Sequence, residues 1–155
     1  MNPIEILEFV MKICDIHALR LETALVNIQP LIPIQAEKIS NFSDQDLGFL
    51  ELLTSRFSKL QDLIGSKVFP LILRILEEDK ESFSLLDRLH RLEKLDFIPN
   101  ASMWIEMREL QNHLIHEYPD APELAAQNLN KAIEQSQELL TYWKFLKEKI
   151  SSISL

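Results

Sequence analysis

The sequence predicts an all-α protein, an up-and-down antiparallel bundle of four main helices plus one short helix. Apolar residues recur at steps of three and four over long stretches, which is the periodicity of a helix with one buried face. The chain has only two glycines, whereas β-sandwiches and doubly wound sheets need many tight turns that favour glycine. Its seven prolines mark few, well-separated breaks. We therefore expect a single domain over residues 1–155, with short links between long helices.

The first helix is predicted over residues 3–29. Its apolar positions continue without interruption, so one face can be buried along the whole length. Pro30 and Pro33 end it, because proline lacks an amide donor and restricts the residue before it. This apolar seam consists of Ile4, Leu7, Met11, Cys14, Ala18, Leu21, Leu25 and Ile28.

The second helix is predicted to begin after Ser43 and to run to about Glu78. Serine is a favoured N-cap residue, and the acidic residues that follow it suit the positive end of a helix dipole. Pro70 lies inside this stretch and should kink the helix, with Gly65 as a second weak point.

Three further helices complete the predicted bundle. A short helix covers residues 82–95 and is broken by Pro99 and Asn100. The next begins at about residue 102 and ends at Tyr118, before a proline. The last covers residues 122–150 and carries a proline in its first turn, where the missing amide donor does no harm.

The charge balance limits the classes of partner. With a net charge of −8 and a pI near 5, the chain should repel nucleic acid on average, although a local basic patch is compatible with that balance. The single cysteine, Cys14, excludes an internal disulfide and a multi-cysteine zinc site, and favours a reducing compartment such as the cytoplasm. No basic leader and no run of about 18 apolar residues is present, so we expect no membrane span.

Several common catalytic motifs are absent from the sequence. It contains no glycine-rich phosphate loop, no Gly-x-Ser-x-Gly turn and no Glu-x-x-His pair for a di-metal bundle site. His113 and His116 could hold one metal ion from a single helix, but such a site would need further ligands. We therefore expect neither a metal nor a cofactor.

The unusual segment is the polar stretch from Arg108 to Tyr118. Arg108, Asn112 and His116 are four residues apart and should share one face of a helix. Glu109, His113 and Glu117 would form a neighbouring polar stripe. A solvated helix face, on which the glutamates offset the histidines, would have the same pattern.

An arginine near a histidine suits metal-free cleavage of RNA. Histidine titrates near neutral pH and can move a proton to or from the 2′-hydroxyl or the leaving oxygen. Arginine can hold the scissile phosphate through a two-pronged contact. The RNA supplies its own nucleophile, so no metal is required.

A longer run of residues resembles the HepT-like branch of the HEPN superfamily, in detail over residues 85–125. Members are small dimeric helical bundles, and their signature is an arginine followed by asparagine, then histidine, then tyrosine. The resemblance implies metal-free RNA cleavage, and a toxin encoded beside a minimal nucleotidyltransferase antitoxin that in some pairs adds AMP to the tyrosine. The resemblance is carried by Leu86 to Leu95, Ile98-Pro99 and Trp104 to Pro119.

Carried over by position, the resemblance makes Asn112 the family asparagine, His116 the catalytic histidine and Tyr118 the modified tyrosine. The arginine position is occupied by Gln111, which can hydrogen-bond a phosphate but cannot neutralise it. Losing such a contact costs about 2–4 kcal/mol of transition-state stabilisation. Arg108, one turn earlier, could replace the missing charge, or Arg108 and His113 could form the pair themselves.

Two hypotheses follow for function. The first is a metal-independent endoribonuclease toxin, a cytoplasmic homodimer that meets RNA and a nucleotidyltransferase antitoxin. Arg88, Arg91 and Lys94 would supply its basic RNA-binding patch, although the same pattern is typical of a solvated helix face. The second is a catalytically degenerate module that binds a partner nucleotidyltransferase or its nucleotide, which the glutamine at position 111 favours.

Overall fold

The computed structural model of the chain describes residues 1–114 and 120–153, and these contain no β-strand. The all-α fold class and the helical bundle are confirmed. Where five helices were predicted, the described residues form six α-helices, because the second predicted helix is interrupted. The helices are α1 (Pro3–Asn27), α2 (Asp44–Leu63), α3 (Phe69–Ile75), α4 (Leu85–Lys94), α5 (Ala101–Leu114) and α6 (Pro122–Ser151).

Helix α1 begins with a capping box and buries the predicted seam. The Asn2 side chain accepts a hydrogen bond from the Glu5 amide at 2.9 Å, and Glu5 accepts one in return from the Asn2 amide at 3.3 Å. The helix ends at Asn27 rather than residue 29, where a 3₁₀ turn over Gln29–Leu31 takes over. Buried members of the seam are Leu7, Cys14, Leu21, Leu25 and Ile28.

The crossover between α1 and α2 is more ordered than a simple link. It contains a second 3₁₀ segment, Ala36–Asn41, which the prolines did not indicate. The backbone of Ile34 is held by α6: its amide donates to Asn130 Oδ1 at 2.8 Å, and its carbonyl accepts from Asn130 Nδ2 at 2.9 Å. Two hydrogen bonds from one side chain therefore fix this crossover on the last helix.

The interruption of the second predicted helix takes the form of a π-helical turn. Ser43 caps α2 as predicted, accepting from the Asp46 amide at 3.1 Å. The π turn covers Ile64–Val68 and precedes Pro70. Proline cannot donate to the helical ladder, and a π turn is one way for a helix to accommodate that loss without ending.

Helices α3 and α4 both end with a residue in the left-handed conformation. The φ angles of Glu77 and Asp96 are 59° and 63°. In each case the next amide donates to a carbonyl five residues earlier. The Glu78 amide donates to the Leu73 carbonyl at 2.7 Å, and the Phe97 amide donates to the Leu92 carbonyl at 2.9 Å. These are Schellman endings built without glycine. The ending at Glu77 closes α3 at Ile75, whereas the sequence predicted a helix that runs to about Glu78.

The remaining boundaries follow from caps. Helix α4 begins at Leu85, later than the predicted residue 82, because Ser84 and Asp87 form a capping box. Helix α5 begins at Ala101, where Asn100 Oδ1 accepts from the Met103 amide at 2.8 Å. Helix α6 keeps its predicted extent within one residue and has Pro122 in its first turn. The predicted end of α5 at Tyr118 lies outside the described residues.

An aromatic cluster joins α3, α5 and α6 in the core. The ring of Trp104, which is 0% exposed, lies 4.8 Å from that of Phe69 and 5.9 Å from that of Tyr142. The Tyr142 hydroxyl donates to the Phe97 carbonyl at 2.7 Å. Gly65 leaves room for the indole, since a Cβ at this position would lie 3.0 Å from Trp104 Nε1.

The two glycines give a matched test of this packing. Gly48→Ala, where no atom lies within 4 Å of the added Cβ, should raise the free energy of unfolding by about 1 kcal/mol through helix propensity. Gly65→Ala should lower it by about 1–3 kcal/mol, because the buried indole cannot retreat. Urea denaturation of both variants measures the two effects, and a stabilised Gly65→Ala protein would contradict the packing described.

Candidate functional site

Helix α5 presents its polar residues as the spacing predicted. Trp104, Met107 and Leu110 are buried and anchor the helix to the core. The outward face of the last two turns carries exposed and half-buried polar side chains. The exposed ones are Arg108, Glu109, Asn112 and His113, and the half-buried one is Gln111.

Two of the predicted site residues lie outside the described residues. These are His116, the catalytic candidate, and Tyr118, the candidate for modification. The arginine and the asparagine that were predicted to share a face with His116 are both solvent-accessible on α5. The described part of the site therefore consists of Arg108, Asn112 and their immediate neighbours.

Arg108 also lines a pocket that the sequence did not indicate. The pocket has a volume of about 200 Å³ and lies where the π turn meets α4 and α5. It brings Arg108 together with Arg88, which the sequence analysis had placed in a separate basic patch. The lining residues are Gln61, Asp62, Gly65, Ser66, Pro70, Leu85, Arg88, Trp104 and Arg108.

The predicted basic patch on α4 carries less free positive charge than its sequence suggests. Arg88 Nε lies 2.9 Å from Asp79 Oδ1, and Arg91 Nε lies 3.6 Å from Glu78 Oε2. Both carboxylates come from the segment that follows α3. Lys94 is exposed and has no carboxylate within ion-pairing distance among the described residues. The ion pairs offset two of the three predicted charges at short range.

The three histidines in the described part of the chain occupy different environments. His90 and His113 are exposed, whereas His17 on α1 is half-buried. Arg56 of α2 donates from Nη1 to His17 Nδ1 at 2.9 Å. Burial, with the nearby charges of Arg56 and Lys59, lowers the pKa of His17. This histidine therefore serves the packing of α1 on α2.

Residues 1–114 and 120–153 contain no group of three or more His, Cys, Asp or Glu side chains placed to hold a metal ion. Burial raises the pKa of the Cys14 thiol to about 12, which leaves it unreactive at neutral pH. No helix in this part of the chain has the length and apolar character needed to cross a bilayer.

A second and larger concavity also borders α5. It has a volume of about 710 Å³ and is formed by the α4–α5 connection, the start of α5 and the middle of α6. Ile98, Met103 and Phe145 supply apolar surface, and Phe145 is 46% exposed. Asp96, Glu134 and Glu138 also line it. None of the described residues of the predicted site contributes to this groove.

Comparison of the chain with known protein families, with curated proteins and with solved structures gives no significant match. The assignment of function therefore depends on the residues and their geometry.

The His17 contact predicts a dependence of stability on pH. Since folding lowers this pKa, the unfolded chain binds the proton more readily than the folded one at mildly acidic pH. The stability that neutral His17 contributes is fully present above the pKa of the unfolded chain, near 6.5, and is lost as the pH falls below that pKa. His17→Gln cannot titrate, so its free energy of unfolding should fall less than that of the wild type between about pH 7.5 and 5.5. Equal slopes in denaturant titrations would contradict this assignment.

Proposed function

We propose that the protein is a HEPN-type, metal-independent endoribonuclease and acts as the toxin of a toxin–antitoxin pair. The observation that carries the proposal is the exposed position of Arg108 on α5, one turn before Asn112. An accessible guanidinium therefore lies close to the residue that matches the family's asparagine, and His116 and Tyr118 follow in the sequence. The all-helical bundle is compatible with the family to which the motif is similar.

In the proposed reaction, each residue acts on a different part of the RNA. Arg108 holds the scissile phosphate and offsets charge that develops on its oxygens. His116 moves a proton to or from the 2′-hydroxyl or the leaving oxygen. Asn112 adds an amide for hydrogen bonding. The 2′-hydroxyl loses its proton and attacks the adjacent phosphorus while the P–O5′ bond breaks, which leaves a 2′,3′-cyclic phosphate and a protonated 5′-hydroxyl. The protein itself therefore provides no nucleophile.

The environments of Arg108 and Gln111 favour Arg108 as the phosphate-binding residue. Gln111, at the family arginine position, is half-buried and uncharged. Arg108 is exposed and has no ion pair among the described residues. Of the two alternatives for replacing the family arginine, Arg108 together with His116 keeps the His-x-Tyr ending of the motif. His113 is the second choice for the histidine.

The proposal includes a homodimer, because members of the family place their motif at a dimer interface. A separate observation favours self-association through α1, which packs on α2, α3 and α6 and not on the motif helix α5: it carries apolar side chains that no other element of the described chain covers. They are spaced seven, three and seven residues apart, which aligns them along one face of the helix. These residues are Phe9, Ile16, Leu19 and Val26, with exposures of 58%, 53%, 56% and 69%.

The partner belongs to the proposal as well. We infer a minimal nucleotidyltransferase antitoxin, with Tyr118 as acceptor of AMP, in the cytoplasm. Arg88, Arg91 and Lys94 remain the candidates for contact with RNA, and Lys94 is the residue of the three without an ion pair in the described part of the chain.

A second candidate function is a catalytically degenerate module that binds a partner nucleotidyltransferase or a nucleotide. Two observations favour it: Gln111 replaces the family arginine, and Arg88 and Arg91 are paired with carboxylates. Such a protein would bind without cleaving.

The catalytic proposal is tested by His116→Ala, with His17→Gln as the control on α1, outside both the motif and the basic patch. Wild-type protein should cleave RNA in the presence of a chelator and arrest growth when expressed. His116→Ala should lower the cleavage rate by about 10²–10⁴-fold, because general acid–base catalysis is lost, whereas His17→Gln should cleave like the wild type at neutral pH. A wild-type protein that leaves both growth and purified RNA unchanged would exclude the nuclease.

Gln111→Arg distinguishes a weakened enzyme from a binding module. Restoring a guanidinium at the family position should raise the cleavage rate by up to about 10²–10³-fold if the rest of the site is intact. Gln111→Lys, which restores charge without the two-pronged geometry, should give a smaller gain. If both variants are inactive and the wild type forms a stable complex with a nucleotidyltransferase, the second function is correct.

A further inference from the structure

The pocket beside Arg108 lies at the one place where the described helices depart from regular α-helical hydrogen bonding to a π turn. The Phe69 amide donates to the Ile64 carbonyl, five residues earlier. The next residue, Pro70, has no amide donor. The Gly65 carbonyl therefore lacks both helical donors that could have reached it, and Gly65 lines the pocket.

A buried amide also lines this pocket. Gln61 is 2% exposed and lines the pocket. Its side-chain amide can both donate and accept hydrogen bonds. The pocket wall thus offers one such amide close to the Gly65 carbonyl.

The formal charges at the pocket favour a neutral ligand over a free anion. Arg88 and Arg108 contribute two positive charges to the wall, and Asp62 contributes one negative charge. Asp79, bonded to Arg88 at 2.9 Å, brings the sum to zero. A phosphate would meet the Asp62 carboxylate as well as the arginines. A neutral group that carries both donors and acceptors can hydrogen-bond with the arginines and with the Asp62 carboxylate at the same time.

Size limits the ligand to a single ring system. A volume of about 200 Å³ is enough for one purine base but not for a whole nucleoside triphosphate. Guanine presents two adjacent N–H donors on its Watson–Crick edge, which a carboxylate such as Asp62 can accept. It also presents the O6 and N7 acceptors that arginine contacts most often. Adenine has an amino group in place of O6, and pyrimidines lack N7.

We propose that this pocket binds one guanine base of an RNA substrate and gives the nuclease a base preference. The proposal depends on the proposed function only for the source of the base. Asp62 accepts from the N–H groups, Arg88 or Arg108 donates to O6 and N7, and Gln61 completes the edge. Arg108 then links base recognition to the neighbouring phosphate.

Binding of nucleoside monophosphates tests the pocket directly. The four 5′-monophosphates carry the same phosphate and differ in the base, and inorganic phosphate serves as the anion control. GMP should bind at least roughly tenfold more tightly than AMP, CMP, UMP or phosphate, as expected for a well-placed base contact. Asp62→Asn should abolish the preference for GMP. Glu51→Gln, which removes the same charge from an exposed position on α2, should preserve it.

Isothermal titration calorimetry measures these affinities without relying on activity. Equal affinity for all four nucleotides, or binding of phosphate as tight as that of GMP, would show a simple anion site and overturn the proposal. Absence of GMP binding would overturn it as well. The same preference in Asp62→Asn as in wild type would exclude the assigned carboxylate.

Mapping of cleavage positions on an RNA that contains every dinucleotide separates this proposal from the proposed function. A preference for cuts next to guanosine in the wild type, and its loss in Asp62→Asn, would support both the nuclease and the guanine pocket. Selective GMP binding without cleavage keeps the pocket and excludes the nuclease. Cleavage without base preference, together with no GMP selectivity, keeps the nuclease and excludes the guanine pocket.

Discussion

The packing of one indole determines how the polar face of α5 is presented. Trp104 is enclosed by Phe69 and Tyr142, and the absence of a side chain at Gly65 lets the indole approach the π turn closely. The hydrogen bond from Tyr142 to Phe97 holds the connection that leads into α5. Since a helix is rigid over a few turns, fixing Trp104 orients Arg108 one turn later.

Local chemistry explains why much of the fold could be predicted. Periodic apolar residues define the buried face of α1, and side-chain caps such as Ser43 define starts. The features of the fold that could not be predicted depend on competition between neighbouring residues. Pro70 was expected to disturb a helix, with Gly65 as a second weak point, and the form of the interruption, a π turn over Ile64–Val68, carried no signal in the sequence. The left-handed ends at Glu77 and Asp96 carry no glycine signal.

The candidate site was predictable only along one helix. Four-residue spacing placed Arg108 and Asn112 on the accessible face of α5, because that relation is local. The approach of Arg88 to Arg108 depends on how α4 packs beside α5. The pairing of Arg88 with Asp79 depends on the turn that follows α3. Gln61 carried no signal at all, since a glutamine in α2 is ordinarily a surface residue. Tertiary contacts alone turn these residues into a pocket.

The bond pattern between Asn130 and Ile34 has a consequence for how the chain can vary. A carboxamide matches a peptide group donor for acceptor, so Asn130 binds the main chain at position 34 and not its side chain. The contact itself therefore tolerates any residue with an amide at that position, whereas burial of Ile34 in the core restricts its side chain to apolar ones. Aspartate at position 130, although similar in size, would lose the donor, so selection on this contact should act on one residue of α6.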